Sequence, residues 1–123
     1  MSVKLFAVTF DCADAAGLAT FWSGVLERPV EDGATAEMAS IAPTDSASPQ
    51  DRGPHWYFIQ VPEGKTAKNR LHPDLTTPDL AAEVQRIVGL GAKTAAEFDE
   101  GAFRWVTLLD PEGNEFDVLA SES

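Results

Sequence analysis

The sequence predicts an α+β fold built from two modules of one plan, each a strand, a helix and three further strands (βαβββ). Three observations carry this. Segments with the two-residue period of a strand far outnumber those with the 3.6-residue period of a helix, of which there are two. The two helical segments sit half a chain apart: Asp14 and Asp79 both open one, 65 residues apart (79 less 14), and the same offset carries Ala7 to His72. Finally, one four-stranded module leaves a sheet face and its edges bare, whereas two side by side can share a concave sheet with both helices outside. At 123 residues the chain is read as one domain, with module one at about 1–62 and module two at about 69–123.

Val3 to Asp11 is rich in β-branched and aromatic residues and reads as a strand, with Phe6, Val8 and Phe10 on one face and Leu5, Ala7, Thr9 and Asp11 on the other. Asp14 is an N-cap. Leu18, Phe21, Trp22, Val25 and Leu26 then recur at helical spacing to about Glu27, and Pro29 stops the helix. Weak strands are expected around Pro29–Glu31 and Glu37–Ala42. The stretch Pro43 to Pro54, rich in Pro, Ser, Asp and Gly, reads as a mobile loop. Trp56 to Val61 is a firm strand.

The second module opens with a strand at Arg70 to Thr76. Thr77-Pro78 starts its helix, with the proline at the first helical position. Leu80, Val84, Ile87, Val88 and Leu90 mark the buried face, and Gly91 is the stop. Strands follow near Lys93–Phe98, Arg104–Leu109 and Glu115–Leu119. The last two are joined by Asp110-Pro111-Glu112-Gly113-Asn114, where proline sets one turn dihedral and glycine supplies a positive φ.

The balance of 20 acidic against 9 basic residues, net −11, excludes the basic footprint that nucleic acid or an anionic membrane requires. No apolar run approaches membrane-spanning length, and Met1-Ser2-Val3-Lys4 does not open a signal peptide. Cys12 is the single cysteine, so no internal disulfide forms, as suits a reducing, cytoplasmic setting. It reads as a small buried apolar residue. Glu63-Gly64-Lys65-Thr66 mimics the tail of a phosphate loop but has Ile59 where the leading glycine belongs, so it is a linker turn.

Two segments carry chemistry: Lys68-Asn69-Arg70-Leu71-His72-Pro73-Asp74-Leu75 and Asp110-Pro111-Glu112-Gly113-Asn114-Glu115-Phe116-Asp117. A histidine and an acid on neighbouring strands suit a metal or acid/base site, because imidazole titrates near neutral pH and a carboxylate can ligate or orient it. Lys68-Asn69-Arg70 reads as a tie for the linker between modules rather than as an anion site. Trp22 belongs to the core. Trp56, Phe58 and Trp105 are candidates for an aromatic wall, which with nearby acids suits flat, cationic or aromatic molecules.

These segments resemble the glyoxalase-like branch of the vicinal oxygen chelate superfamily, which shares the glyoxalase and bleomycin-resistance fold. The resemblance covers nearly the whole chain and implies the paired βαβββ modules around a shared cup. It implies metal positions on the first and last strand of each module, here Ala7, Gln60, His72 and Asp117. Ala7 offers no ligand, so the implied metal set is His72, Gln60 and Asp117. His72 and Asp117 are also the implied catalytic pair, and the cup is expected to be lined by Ala7, Thr9, Trp56, Phe58, Asp74 and Trp105. One imidazole and one carboxylate are the only strong ligands, since Gln60 is a neutral donor and His55 falls on the opposite face of its strand. A two-histidine iron dioxygenase is therefore not expected. The first functional expectation is a protein that binds a small hydrophobic or aromatic molecule, with resistance or sequestration as one version. The alternative is a lyase or isomerase assisted by a divalent metal (Zn, Ni or Mn). The resemblance also implies a homodimer.

Overall fold

The computed structural model describes residues 2–44 and 53–121. The chain divides at Gly64/Lys65 into two compact units, and each holds one helix and one mixed sheet, so the class is α+β with two modules.

In the first unit β1 (Ala7–Cys12) lies parallel to β3 (His55–Gln60), and β2 (Met38–Ile41) is antiparallel to β3, giving the order β1-β3-β2. The weak strand expected near Pro29–Glu31 is a single bridge from Val30 to Ile41. Helix α1 (Ala15–Leu26) starts where Asp14 accepts a bond from the Gly17 amide at 3.2 Å. A Cβ on Gly17 would lie 2.5 Å from the Asp14 carboxylate, so glycine there leaves room for the cap. The helix ends at Glu27, which takes the left-handed conformation at φ 55°, two residues before Pro29. Its Leu18, Phe21, Trp22 and Val25 pack over Ala39, Ile41, Trp56 and Phe58, all buried. Phe10 joins them, its ring 5.5 Å from Trp22 and 5.6 Å from Trp56. Cys12 is buried as expected. The strand begins later than expected, at Ala7 rather than Val3, and Phe6 departs from the face of Val8 and Phe10: its ring sits 4.6 Å from His55, on the side away from the helix. Of the expected loop at 43–54, residues 45–52 lie outside the described residues.

In the second unit β4 (Asp74–Thr77) runs parallel to β7 (Glu115–Ala120). β6 (Phe103–Leu109) is antiparallel to β7 and to β5 (Lys93–Glu100), giving β4-β7-β6-β5. Both units thus place their first strand parallel to their last. Helix α2 (Leu80–Leu90) is capped by Asp79, which accepts from the Ala82 amide at 3.2 Å, and closes at Gly91 with φ 126°. Pro78 therefore precedes the cap and is not the first helical residue. Thr77 Oγ1 accepts from the Asp79 amide at 3.1 Å. Leu80 and Ile87 are buried, but Val88 and Leu90 are exposed, so the buried face of α2 is narrower than the sequence predicts. The core of the unit is Val106, Leu108, Phe116 and Val118. The hairpin between β6 and β7 closes as the sequence predicts: Gly113 has φ 87° and the Asp110 amide donates to the Asn114 carbonyl at 2.9 Å.

Candidate metal and ligand site

His72 is not on a strand. Residues 62–73 form no regular structure, and β4 begins at Asp74. Pro73 is the reason: it has no N–H to give to a ladder. Its carbonyl still accepts the Asp117 amide at 3.0 Å, which docks the segment on β7 just after His72. Leu71, next to it in the same irregular segment, is exposed.

The two motifs nevertheless meet. His72 Nδ1 stands 3.0 Å from Asp74 Oδ1 and 3.8 Å from Asp117 Oδ2. In the sheet Asp74 is paired with Asp117 and Asp117 with Thr107, and the Thr107 hydroxyl donates to Asp117 Oδ1 at 2.6 Å. That bond leaves Oδ2 for His72. The Asp117 side chain is 18% exposed, whereas His72 and Asp74 are 36% and 57% exposed. One potential ligand atom from each of the three lies within 4.8 Å of the others.

Donors about 2.1 Å from a shared ion lie roughly 3.0–3.4 Å apart. The His72–Asp74 separation meets this, and the His72–Asp117 separation exceeds it by a few tenths of an ångström. One imidazole and two carboxylates suit a borderline or hard divalent cation. The 3.0 Å contact is equally a hydrogen bond from Nδ1–H to Asp74, and Nδ1 can serve only one of the two at a time.

A polar belt borders the donors. Lys65 Nζ lies 3.3 Å from Glu115 Oε2, the Asn69 amide donates to Glu115 Oε1 at 3.1 Å, and Asn69 Nδ2 donates to Asn114 Oδ1 at 2.8 Å. Asn69 thus ties the linker down, as its cluster suggested. Burial pushes the Glu115 carboxyl up, but the bond from Asn69 and the Lys65 ammonium outweigh it and hold the group below the usual carboxylate value.

The residues expected to line a ligand divide. Asp74 joins the donor cluster. Trp105 lies on the same sheet face as Thr107 and Asp117, by alternation along β6 and its pairing with Leu119. Its ring stacks on Phe98 at 4.7 Å. Ala7 and Thr9 face away from α1, opposite His55 and Tyr57. Trp56 and Phe58 are corrected: they are 8% and 0% exposed and pack against the α1 side, Trp56 lying 5.2 Å from Trp22, so they are core. Gln60 shares their face, and its amide donates to the Ala13 carbonyl at 2.9 Å. Register shows why it is not the counterpart of Asp117. Asp74 pairs with Asp117, and the residue 65 before Asp74 is Thr9, which pairs with Tyr57. Tyr57 holds the equivalent place. Thr107, which orients Asp117, was not expected; the only signal for it is the cross-strand register.

The family model for the glyoxalase-like domain matches residues 7–119. The chain belongs to the glyoxalase-like family, within the vicinal oxygen chelate superfamily. Three solved structures show the same fold at low identity. A glyoxalase/bleomycin resistance protein/dioxygenase family enzyme from Burkholderia phytofirmans has a TM-score of 0.74 at 14% identity, covering 96% of this chain and 98% of its own. A fosfomycin resistance protein from Listeria monocytogenes, a mutant complexed with Mn(II) and 1S,2S-dihydroxypropylphosphonic acid, has 0.71 at 11%, covering 96% and 89%. A fosfomycin resistance protein from Mesorhizobium loti has 0.71 at 12%, covering 99% and 94%. No curated protein matches the sequence. No helix among the described residues is long and apolar enough to cross a membrane.

Proposed function

We propose that this protein holds a divalent cation through His72, Asp74 and Asp117 and uses that site to bind a small oxygen-bearing organic molecule whose apolar part lies against Trp105. The observation that carries the reading is the cluster of three donor side chains within 4.8 Å. That one neighbour in this fold is complexed with Mn(II) supports a metal of that class. A cation here would polarise a carbonyl or hydroxyl oxygen of the bound molecule. The residues of the chain do the rest. Asp117, held by Thr107, supplies a fixed carboxylate. Asp74 takes up the Nδ1–H of His72 when no cation is bound. Trp105, two residues along β6 from Thr107 and so about 7 Å away, offers a flat apolar wall on the same face.

Two outcomes share this chemistry: sequestration of the molecule, or its conversion by a lyase or isomerase step. The loss of Trp56 and Phe58 from the wall weakens the purely hydrophobic version of the binding reading and favours recognition through the polar cluster. The expectations of a homodimer and of a cytoplasmic protein are carried with the proposal; light scattering on the purified chain tests the first.

The deciding measurement is metal content of protein purified without chelator, followed by Mn(II), Zn(II) and Ni(II) titration. Near-stoichiometric binding that is lost in His72→Ala and in Asp117→Asn supports the reading. Binding that survives both substitutions places the ion elsewhere and ends it.

A further inference from the structure

His72 sits in twelve residues of irregular chain, 62–73, yet a ligand or proton carrier has to be held within a fraction of an ångström of its partners. No ladder of its own orients it. What holds it is a set of bonds that the ligand cluster does not use. Residues 62–68 and 70–72 are exposed, and in that run Asn69 alone is half-buried. Its backbone N–H and its side-chain Nδ2 go to Glu115 Oε1 and Asn114 Oδ1, at 3.1 and 2.8 Å. Asn114 is itself fixed, because its Nδ2 donates to both oxygens of Asp110, at 3.1 and 2.9 Å, and Asp110 is 3% exposed. Lys65 bonds Glu115 Oε2 at 3.3 Å and the Ala67 carbonyl at 2.6 Å, folding the start of the segment onto the same carboxylate. On the far side of His72 the Pro73 carbonyl takes the Asp117 amide. His72 is therefore pinned three residues before and one residue after, both times to β7, the strand that carries Asp117.

We propose that Lys65, Asn69, Asn114 and Glu115 form a latch that positions His72 against Asp117, with Glu115 as its central positioning residue. The latch rests on the reading of His72, Asp74 and Asp117 as the cation site, but it has an observable of its own. Glu115 precedes Asp117 by two residues and so shares its sheet face, yet both its oxygens are taken by Asn69 and Lys65. It acts on the site through the backbone it holds and not as a ligand.

The test uses the full chain, with Mn(II) alone as probe, at a temperature where each variant keeps the wild-type far-UV circular dichroism. Three readings are taken: Mn(II) affinity, exchange of the Asp117 amide, and exchange of the amides of β5 as an internal reference. Glu115→Ala removes both acceptors. It is expected to weaken Mn(II) roughly 10–100-fold, the usual effect of losing a group that orients a ligand, and to speed Asp117 exchange about tenfold or more while β5 stays protected. Glu115→Gln keeps an oxygen for the Asn69 N–H and is expected to restore most of both. Should Glu115→Ala fail to fold, Asn69→Ala and Lys65→Met each remove one arm, and each is expected to move both readings in the same direction. Wild-type affinity together with wild-type Asp117 exchange overturns the latch. So does faster exchange shared equally by β5, since that is general loss of stability. If wild-type protein binds no Mn(II), the cation reading fails by itself and Asp117 exchange alone decides the latch.

Discussion

Replacing Thr107 by valine isolates the bond that aims Asp117. Valine fills nearly the same volume, so the change removes a hydroxyl and little packing. The bond lost is a 2.6 Å donation to a carboxylate whose side chain is 18% exposed. Bonds to charged groups contribute about 1.5–3 kcal/mol. Water reaches this carboxylate in part and replaces some of that, so the lower end applies and the stability loss is about 1.5 kcal/mol. The effect on the site follows from geometry. With Oδ1 unheld, Asp117 rotates and Oδ2 no longer stays 3.8 Å from His72 Nδ1. Metal affinity is expected to fall about tenfold, equivalent to about 1.4 kcal/mol. Urea denaturation measures the first quantity and calorimetric titration with Mn(II) the second, with Thr107→Ser as the control that keeps the hydroxyl. If Thr107→Val binds Mn(II) as tightly as Thr107→Ser, the orientation of Asp117 does not matter and the site has been assigned to the wrong carboxylate.

Phe58→Ala is expected to cost about 3–5 kcal/mol in stability, because the ring is fully buried. Fluorescence titration of the folded fraction should show ligand affinity unchanged, as befits a core residue. Asp14→Ala should cost about 1 kcal/mol through loss of the α1 cap, read as a lower thermal midpoint. Glu115 gives a pH effect of definite sign. Its folded value lies below the ordinary 4.5 despite burial, owing to Asn69 and Lys65. A depressed carboxylate contributes stability that is present above the unfolded value and is lost as pH falls through the folded one. Urea midpoints should therefore drop between about pH 4.5 and lower pH more steeply in wild type than in Glu115→Gln.

Much of the fold was legible because it is written in local chemistry. Asp14 and Asp79 cap helices for a reason that needs only the next three residues. Gly91 and Gly113 stand where the chain needs positive φ. Alternation puts Phe116 and Val118 on one face of β7, but it says which residues share a face and not which face is inside. That is how Trp56 and Phe58 were read as a wall: their own strand offers no sign of α1 above them, and only the contact with Trp22 decides it. Gln60 was misplaced for a related reason. Its equivalence to Asp117 depends on how β1 lines up with β3, a pairing of segments some 48 residues apart (55 less 7), and register across such a gap is set by packing.

The candidate site divides along the same line. Its donor types were visible in two short motifs, since histidine and aspartate advertise their chemistry wherever they stand. Their geometry was not, because Pro73 ends the ladder one residue after His72 and hands the positioning of the imidazole to side chains. Asn69 and Glu115 look in sequence like a linker amide and a surface acid. They matter here because an irregular segment with no hydrogen-bond ladder must be held by whatever polar groups face it. In this second module those groups lie on β7 and on Asn114 just before it, and β7 is the strand that supplies Asp117. The carboxylate and the anchors of the histidine thus share one strand, so a displacement of β7 would carry them together.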